Sequence, residues 1–231
     1  FNVHILANLE PFRYGAPSFI QKCVQAAKYR LGCNGLHLYP LFYWDWPYSP
    51  DRVYPRLDQM ARDWIWFAAW FRYAWNPDYE PKLEREYWIG RLSERYGSRQ
   101  AAAHILDAYE AAGECAPKLL RRFGITEGNR QTMSLGMTLS QLMNPEQYRA
   151  WKELWECQAP EGERLETYVE RELNDEPHYG ETPLDIVADV ERHALQAERA
   201  INDARSKVER EQVEFERLAA DIRAIALMVR S

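Results

Sequence analysis

Asn2-Val3-His4-Ile5-Leu6-Ala7-Asn8-Leu9-Glu10 and Gly35-Leu36-His37-Leu38-Tyr39-Pro40-Leu41 bracket a helical stretch, and the way these two segments pair decides the fold. In the first, the period-2 rule puts Val3, Ile5, Ala7 and Leu9 on one face and His4, Leu6, Asn8 and Glu10 on the other. Between them, Gly15-Ala16-Pro17 opens a helix with Pro17 near its first turn. Its buried stripe is Ile20, Val24, Ala27 and Leu31, and Gly32 is placed to end it. In the second strand, Leu36 and Leu38 lie opposite His37 and Tyr39. Strand, helix, strand at this length predicts a βαβ unit with parallel strands and a right-handed crossover. Ligand sites of such units gather beyond the carboxyl ends of the strands. Glu10, Arg13, Tyr14 and the loop Phe42-Tyr43-Trp44-Asp45-Trp46-Pro47-Tyr48 fall there.

Two parallel strands cannot close a barrel, and no third βα unit is visible downstream. The sequence also opens on Phe1 rather than Met. The expectation is the C-terminal part of a larger enzyme, holding the last one or two strands of an α/β barrel. From Leu57 onward the pattern is helical. A helix from Leu57 to about Trp75 has apolar residues around its whole axis, so burial on several sides is expected. Asn76-Pro77-Asp78 stops it, and the next helix, roughly Lys82 to Tyr96, turns Leu83, Tyr87 and Leu92 inward before Gly97. Ser98 caps an Ala-rich helix over Arg99 to Arg122. Shorter helices follow over Gln131 to Met143, Asn144 to Cys157 and Glu163 to Leu173.

Thr182, Pro183 and Asp185 form a strong start signal, a capping box with proline at the first helical position. Beyond it Val187, Ala194, Ile201, Val208, Phe215, Ile222 and Val229 recur every seven residues, and Val190, Ala197, Ala204, Leu218 and Ile225 follow in the same phase. Glu211 is the exception. Ser206-Lys207-Val208-Glu209 reads as a second capping box, so two antiparallel helices turning near Ser206 are preferred over one continuous rod. The fold class is mainly α. A βαβ remnant of a (β/α)8 barrel occupies residues 1–56, and an all-helical C-terminal domain of seven or eight helices occupies 57–231.

The net charge of −6 argues against a nucleic-acid partner. The longest apolar run, Trp64 to Phe71, is far short of the ~20 residues that span a bilayer, so no membrane partner is expected. The four cysteines, Cys23, Cys33, Cys115 and Cys157, lack metal-type spacing and leave the compartment open, with a periplasmic or extracellular one favoured. Nine Trp and fourteen Tyr, most of them before Trp88, suit the faces of sugar rings. A large core plus an interface would use the same rings.

Two stretches carry a family resemblance. Val3 to Tyr14, with a carboxylate at the strand end, and Asp63-Trp64-Ile65-Trp66-Phe67-Ala68-Ala69-Trp70-Phe71-Arg72-Tyr73-Ala74-Trp75-Asn76-Pro77-Asp78 resemble the C-terminal part of α-glucuronidases and their glycoside hydrolase relatives. In those enzymes a helix ending in Ala-Trp-Asn-Pro leaves the catalytic barrel and enters a helical domain. The resemblance implies hydrolysis of a glycosidic bond, at a uronic acid or similar sugar of a plant or algal polysaccharide. It also implies that this chain alone is not active, because the strand bearing the general acid is absent from it.

Glu10 is the candidate catalytic carboxylate, acting as a general base or assisting one; a salt bridge to Arg13 or a helix cap is the competing role. The candidate substrate-binding residues are Arg13, Tyr14, His37, Tyr39, Tyr43, Trp44, Asp45 and Trp46. Arg13 suits a uronate carboxylate in a bidentate fork, or Glu10. His37 and Tyr39 suit substrate hydroxyls or a polar layer in a barrel core, and Asp45 a sugar hydroxyl or a turn. No metal site, phosphate loop or cofactor is expected. A competing reading makes the chain a non-catalytic helical module for dimerisation or carbohydrate contact.

Overall fold

The computed structural model describes residues 2–5, 13, 15–39, 45–49, 51–122, 162–163 and 165–230. The chain is mainly helical, with a two-stranded parallel sheet at its start. Strand β1 (Asn2–Ile5) pairs with β2 (Gly35–Leu38) in the register Val3↔Leu36 and Ile5↔Leu38, joined by helix α1 (Pro17–Tyr29). Pro17 takes the first helical position, where its missing N–H costs nothing, and Ile20, Val24 and Ala27 are buried. Leu31 does not join that stripe and is 58% exposed, because the helix has already ended at Tyr29.

The helix expected over Leu57 to Trp75 is two. Asp58 caps α2 (Gln59–Arg62), its carboxylate accepting from Met60 N at 2.8 Å and Ala61 N at 3.2 Å. Asp63, at φ −102° and ψ 26°, leaves helical geometry and separates it from α3 (Trp64–Trp75). On α3, Ile65, Trp66, Phe67, Ala69, Trp70 and Tyr73 are buried, whereas Phe71 and Trp75 are 58% and 88% exposed. The helix is therefore not covered all round. Its Asn-Pro end is held against α1: Gln21 Nε2 donates to the carbonyls of Pro77 at 2.9 Å and Tyr79 at 2.8 Å.

Helix α4 (Pro81–Tyr96) is capped by the Glu80 carboxylate, which accepts from Leu83 N at 2.9 Å. Trp88, Ile89, Leu92 and Tyr96 face inward, while Leu83, expected inside, is 67% exposed in the first turn. Gly97 then takes φ +88°, and a Cβ there would meet Glu209 Cβ at 2.8 Å, so glycine is required twice over. Ser98 Oγ accepts from Ala101 N at 3.2 Å and opens α5 (Arg99–Arg122).

Helix α5 is central. It packs against α1, α4 and the two last long helices, α7 (Pro183–Arg205) and α8 (Gln212–Arg230). Its buried Ala101, Ala102, Ala108, Ala112 and Ala116 let those neighbours approach closely. The Thr182–Asp185 capping box starts α7, which follows the short α6 (Leu165–Leu173).

The seam on α7 and α8 forms as a helical hairpin. Ala194, Ile201, Phe215 and Ile222 of one series and Val190, Ala197, Ala204, Leu218 and Ile225 of the other are all buried. At the start of α7 the buried residue is Ile186, not Val187, which is 41% exposed. A straight helix drifts against a strict seven-residue repeat, and four residues back from Val190 is 186.

The turn lies near Ser206 as expected, but Ser206 ends α7 and does not start α8. Glu211, the exception in the repeat, sits in the turn at φ +54°. Glu209 N and Arg210 N donate to Tyr96 O at 2.9 and 3.1 Å, pinning the turn to the end of α4. One hydrophobic core runs from Ala16 on α1 through α3, α4 and α5 to Ala226 on α8. No described helix is long and apolar enough to cross a membrane. The helices expected over 131–143 and 144–157 lie outside the described residues.

Candidate functional site

The strand alternation places Leu36 and Leu38 against the core and leaves His37 on the exposed face. There the His37 ring stacks on Tyr39, with centroids 4.7 Å apart. Beyond β2, residues 45–49 and 51–59 are tied together by backbone hydrogen bonds. Tyr48 N donates to Asp45 O at 2.9 Å, Ser49 N to Leu57 O at 2.8 Å and Gln59 N to Pro47 O at 2.9 Å. Buried Ser49 and Gln59 anchor them. Asp45 pairs across the loop with Arg56, whose guanidinium sits 4.5 Å from the Tyr48 ring centroid. Both partners of that ion pair are about half exposed, so it orders the loop more than it stabilises the fold. Trp46 is 48% exposed and meets Phe67 edge-on at 6.4 Å.

Arg13 is buried in a cluster of charges. It is 3% exposed and reaches α8: Nε donates to Glu214 Oε1 at 3.0 Å, and Nη1 is hydrogen-bonded to Asp221. Its backbone N donates to the same Asp221 carboxylate at 3.3 Å. Asp51 Oδ1, from the loop after β2, stands 3.6 Å from Nη1. A second buried guanidinium completes the cluster. Arg62 Nε is 2.5 Å from Asp51 Oδ2, and Nη1 donates to Asp63 Oδ1 at 2.8 Å. Arg13, Asp51, α2 and α8 are thus bolted together at one point.

The charges in this cluster are unequal. Two buried guanidiniums meet four carboxylates, with Arg217 3.7 Å from Glu214 at the rim. Burial accordingly pushes the Asp63 carboxyl up to about 6 despite Arg62, and raises Asp221 despite Arg13 and Arg62. Burial works against the charge on Arg13, but Asp221 and Glu214 more than offset it and hold the guanidinium protonated. Asp63 Oδ2 is buried with no hydrogen-bond partner among the described residues.

Of the candidates described, Arg13 and Asp45 are used in separate ion pairs, and Trp46 packs edge-on against Phe67. Glu10, Tyr14, Tyr43 and Trp44 lie outside the described residues. The members sequence reasoning missed are Asp51, Arg62, Asp63, Glu214 and Asp221. One signal was present: Glu214 and Asp221 are seven apart, each one position before a seam residue, Phe215 and Ile222. Charges held at heptad spacing beside a seam point to a fixed partner. Among the described residues no group of three or more His, Cys, Asp or Glu is arranged to hold a metal ion.

No protein-family profile matches the chain, and no curated protein sequence matches it. A solved structure does. Over 99% of its length the chain superposes on a GH138 enzyme targeting pectin rhamnogalacturonan II, with a TM-score of 0.85 and 45% sequence identity. The chain is similar to part of a glycoside hydrolase. It spans 33% of that protein's length. The resemblance to glycoside hydrolases drawn from the strand-end carboxylate and the Ala-Trp-Asn-Pro helix is met at that level, whereas the likeness carries no α-glucuronidase specification.

Proposed function

We propose that the chain supplies one wall of the active site of a glycoside hydrolase acting on a pectic polysaccharide, α-glucuronidase-like in attacking a uronic acid linkage. The observation that carries this reading is the 45% identity to a GH138 enzyme over 99% of the chain. The parallel βαβ unit supports it, because strand, helix, parallel strand is the unit from which such a barrel is built.

In this reading residues 1–56 belong to a catalytic barrel, and the helical body from residue 57 braces them. Glu10 is a catalytic carboxylate at a strand end, the general base of an inverting reaction. Its partner acid, on another strand, stands roughly 6.5–9.5 Å away to leave room for water. Arg13, three residues on, is itself held against α8 by Glu214 and Asp221. Trp46 offers a ring face to a sugar.

The test is release of monosaccharide from pectic polysaccharide by the protein expressed from its whole open reading frame. The wild type is expected to release a uronic acid, and Glu10→Gln to fold normally and lose orders of magnitude in kcat. Release of no sugar by the wild type refutes the reading. Full activity in Glu10→Gln refutes the assignment of the base.

A further inference from the structure

Away from the strand ends, α7 and α8 flank a groove of about 200 Å³. Three guanidiniums line it, Arg205 from α7 and Arg223 and Arg230 from α8. The seven-residue spacing puts Arg223 and Arg230 on one face of α8, on the order of 10 Å apart along the axis. Arg230 is paired with Glu198 across the groove, and Arg205 with Glu216. Those pairs hold two of the three cations in place. Arg223 is exposed and has no hydrogen-bond or ion-pair partner among the described residues. Its fork is unused.

An unpaired guanidinium between two fixed ones selects a planar anion, carboxylate above all, through two parallel N–H···O bonds. The rest of the lining asks for more than an anion. The Asn202 amide can both donate to and accept from hydroxyls, and Leu227 offers an apolar face that is 52% exposed. Sulfate or phosphate would leave the amide carbonyl and the apolar face idle. A sugar ring carrying a carboxylate engages all three. The chain's net charge of −6 means that bulk attraction does not draw anions to this surface, so binding here rests on local geometry.

We propose that the α7–α8 groove is a second, non-catalytic carbohydrate site that takes a uronate unit of an acidic oligosaccharide. It deepens the reading of a pectin-directed enzyme, on which the source of the sugar rests, but it needs no catalysis. The groove can therefore be measured on the 231-residue chain alone, while the hydrolase reading stands or falls on sugar release and Glu10→Gln.

The experiment is calorimetric titration of the chain with a galacturonic acid trimer at near-physiological salt. Saturable binding is expected, with Arg223→Gln weakening it about tenfold, the loss for one charged hydrogen-bond pair. Asn202→Ala should weaken it several-fold, and far-ultraviolet circular dichroism should show both variants folded. The trimer with its carboxylates reduced to alcohols should not bind, and inorganic sulfate at equal concentration should not compete. Absence of saturable binding overturns the proposal, as does an undiminished affinity in Arg223→Gln. Competition by sulfate, or an unchanged affinity in Asn202→Ala, overturns it too by showing a simple anion site.

Discussion

Removing the Arg13 guanidinium while keeping its bulk, as in Arg13→Met, should destabilise the chain strongly, with a dependence on pH. Glu214 and Asp221 would lose their main cation, and Asp51 one of two. Breaking a buried ion pair by deleting one partner costs roughly 3–5 kcal/mol, because the surviving charge stays buried. For a chain of this size, each kcal/mol lowers Tm by roughly 2–4 °C, so a fall on the order of 10 °C is expected near neutral pH. The sign with pH follows from Asp221. Its carboxyl is already raised by burial against the pull of Arg13, and without Arg13 it rises further. A raised carboxyl contributes its stability below its unfolded pKa, about 3.9, and loses it as pH rises through the folded value. The deficit of Arg13→Met against wild type should thus be small near pH 4 and grow toward neutrality. Urea melts at a series of pH values measure it, and the double variant Arg13→Met/Asp221→Leu should recover part of the loss. A deficit under about 1 kcal/mol, or one flat from pH 4 to 8, would refute the reasoning.

Phe215 is 1% exposed and packs edge-to-face on Tyr96 at 6.3 Å, so Phe215→Ala should cost about 3–5 kcal/mol in urea unfolding. A cost under about 1 kcal/mol would mean the hairpin is not held by that ring. Asp63 should titrate near 6 by carbon NMR of its carboxyl, and its contribution to stability should decline as pH rises from about 4 through that value. A midpoint near the ordinary carboxylate range would show the site is wetter than the structure has it. Trp46→Ala, assayed in the protein from the whole open reading frame, should lower kcat/KM for pectic substrate about tenfold while unfolding at an unchanged urea concentration. Unchanged kinetics would make the ring part of the packing against Phe67 alone.

What could be read in the sequence was what repeats over short distances. The alternation of Leu36 and Leu38 against His37, the stripe Ile20, Val24 and Ala27, and the box Thr182–Asp185 each declare themselves within a few residues. The hairpin at Ser206 was placed correctly by a misleading signal, because Ser206 caps the end of α7. Exposure on α3 was not legible: Phe71 and Trp75 look as apolar as Trp70, and only the positions of neighbouring helices, α1 and α4 among them, decide which rings are covered. The charge cluster was hidden for the same reason. Arg13 lies 201 residues from Glu214, and a local reading offered it Glu10.

The bolt from Arg13 to Asp221 also sets the order of events during synthesis. The two residues are 208 positions apart, and α8 closes the core that α1 opens. At roughly 5–20 residues per second, Arg13 leaves the ribosome roughly 10–40 s before its carboxylate partner is made. Through that interval the nascent βαβ segment carries a cation meant for burial, and the apolar stripe of α1 has no final cover. Such a chain cannot complete its core as it emerges. That surface stays uncovered until the last helix arrives.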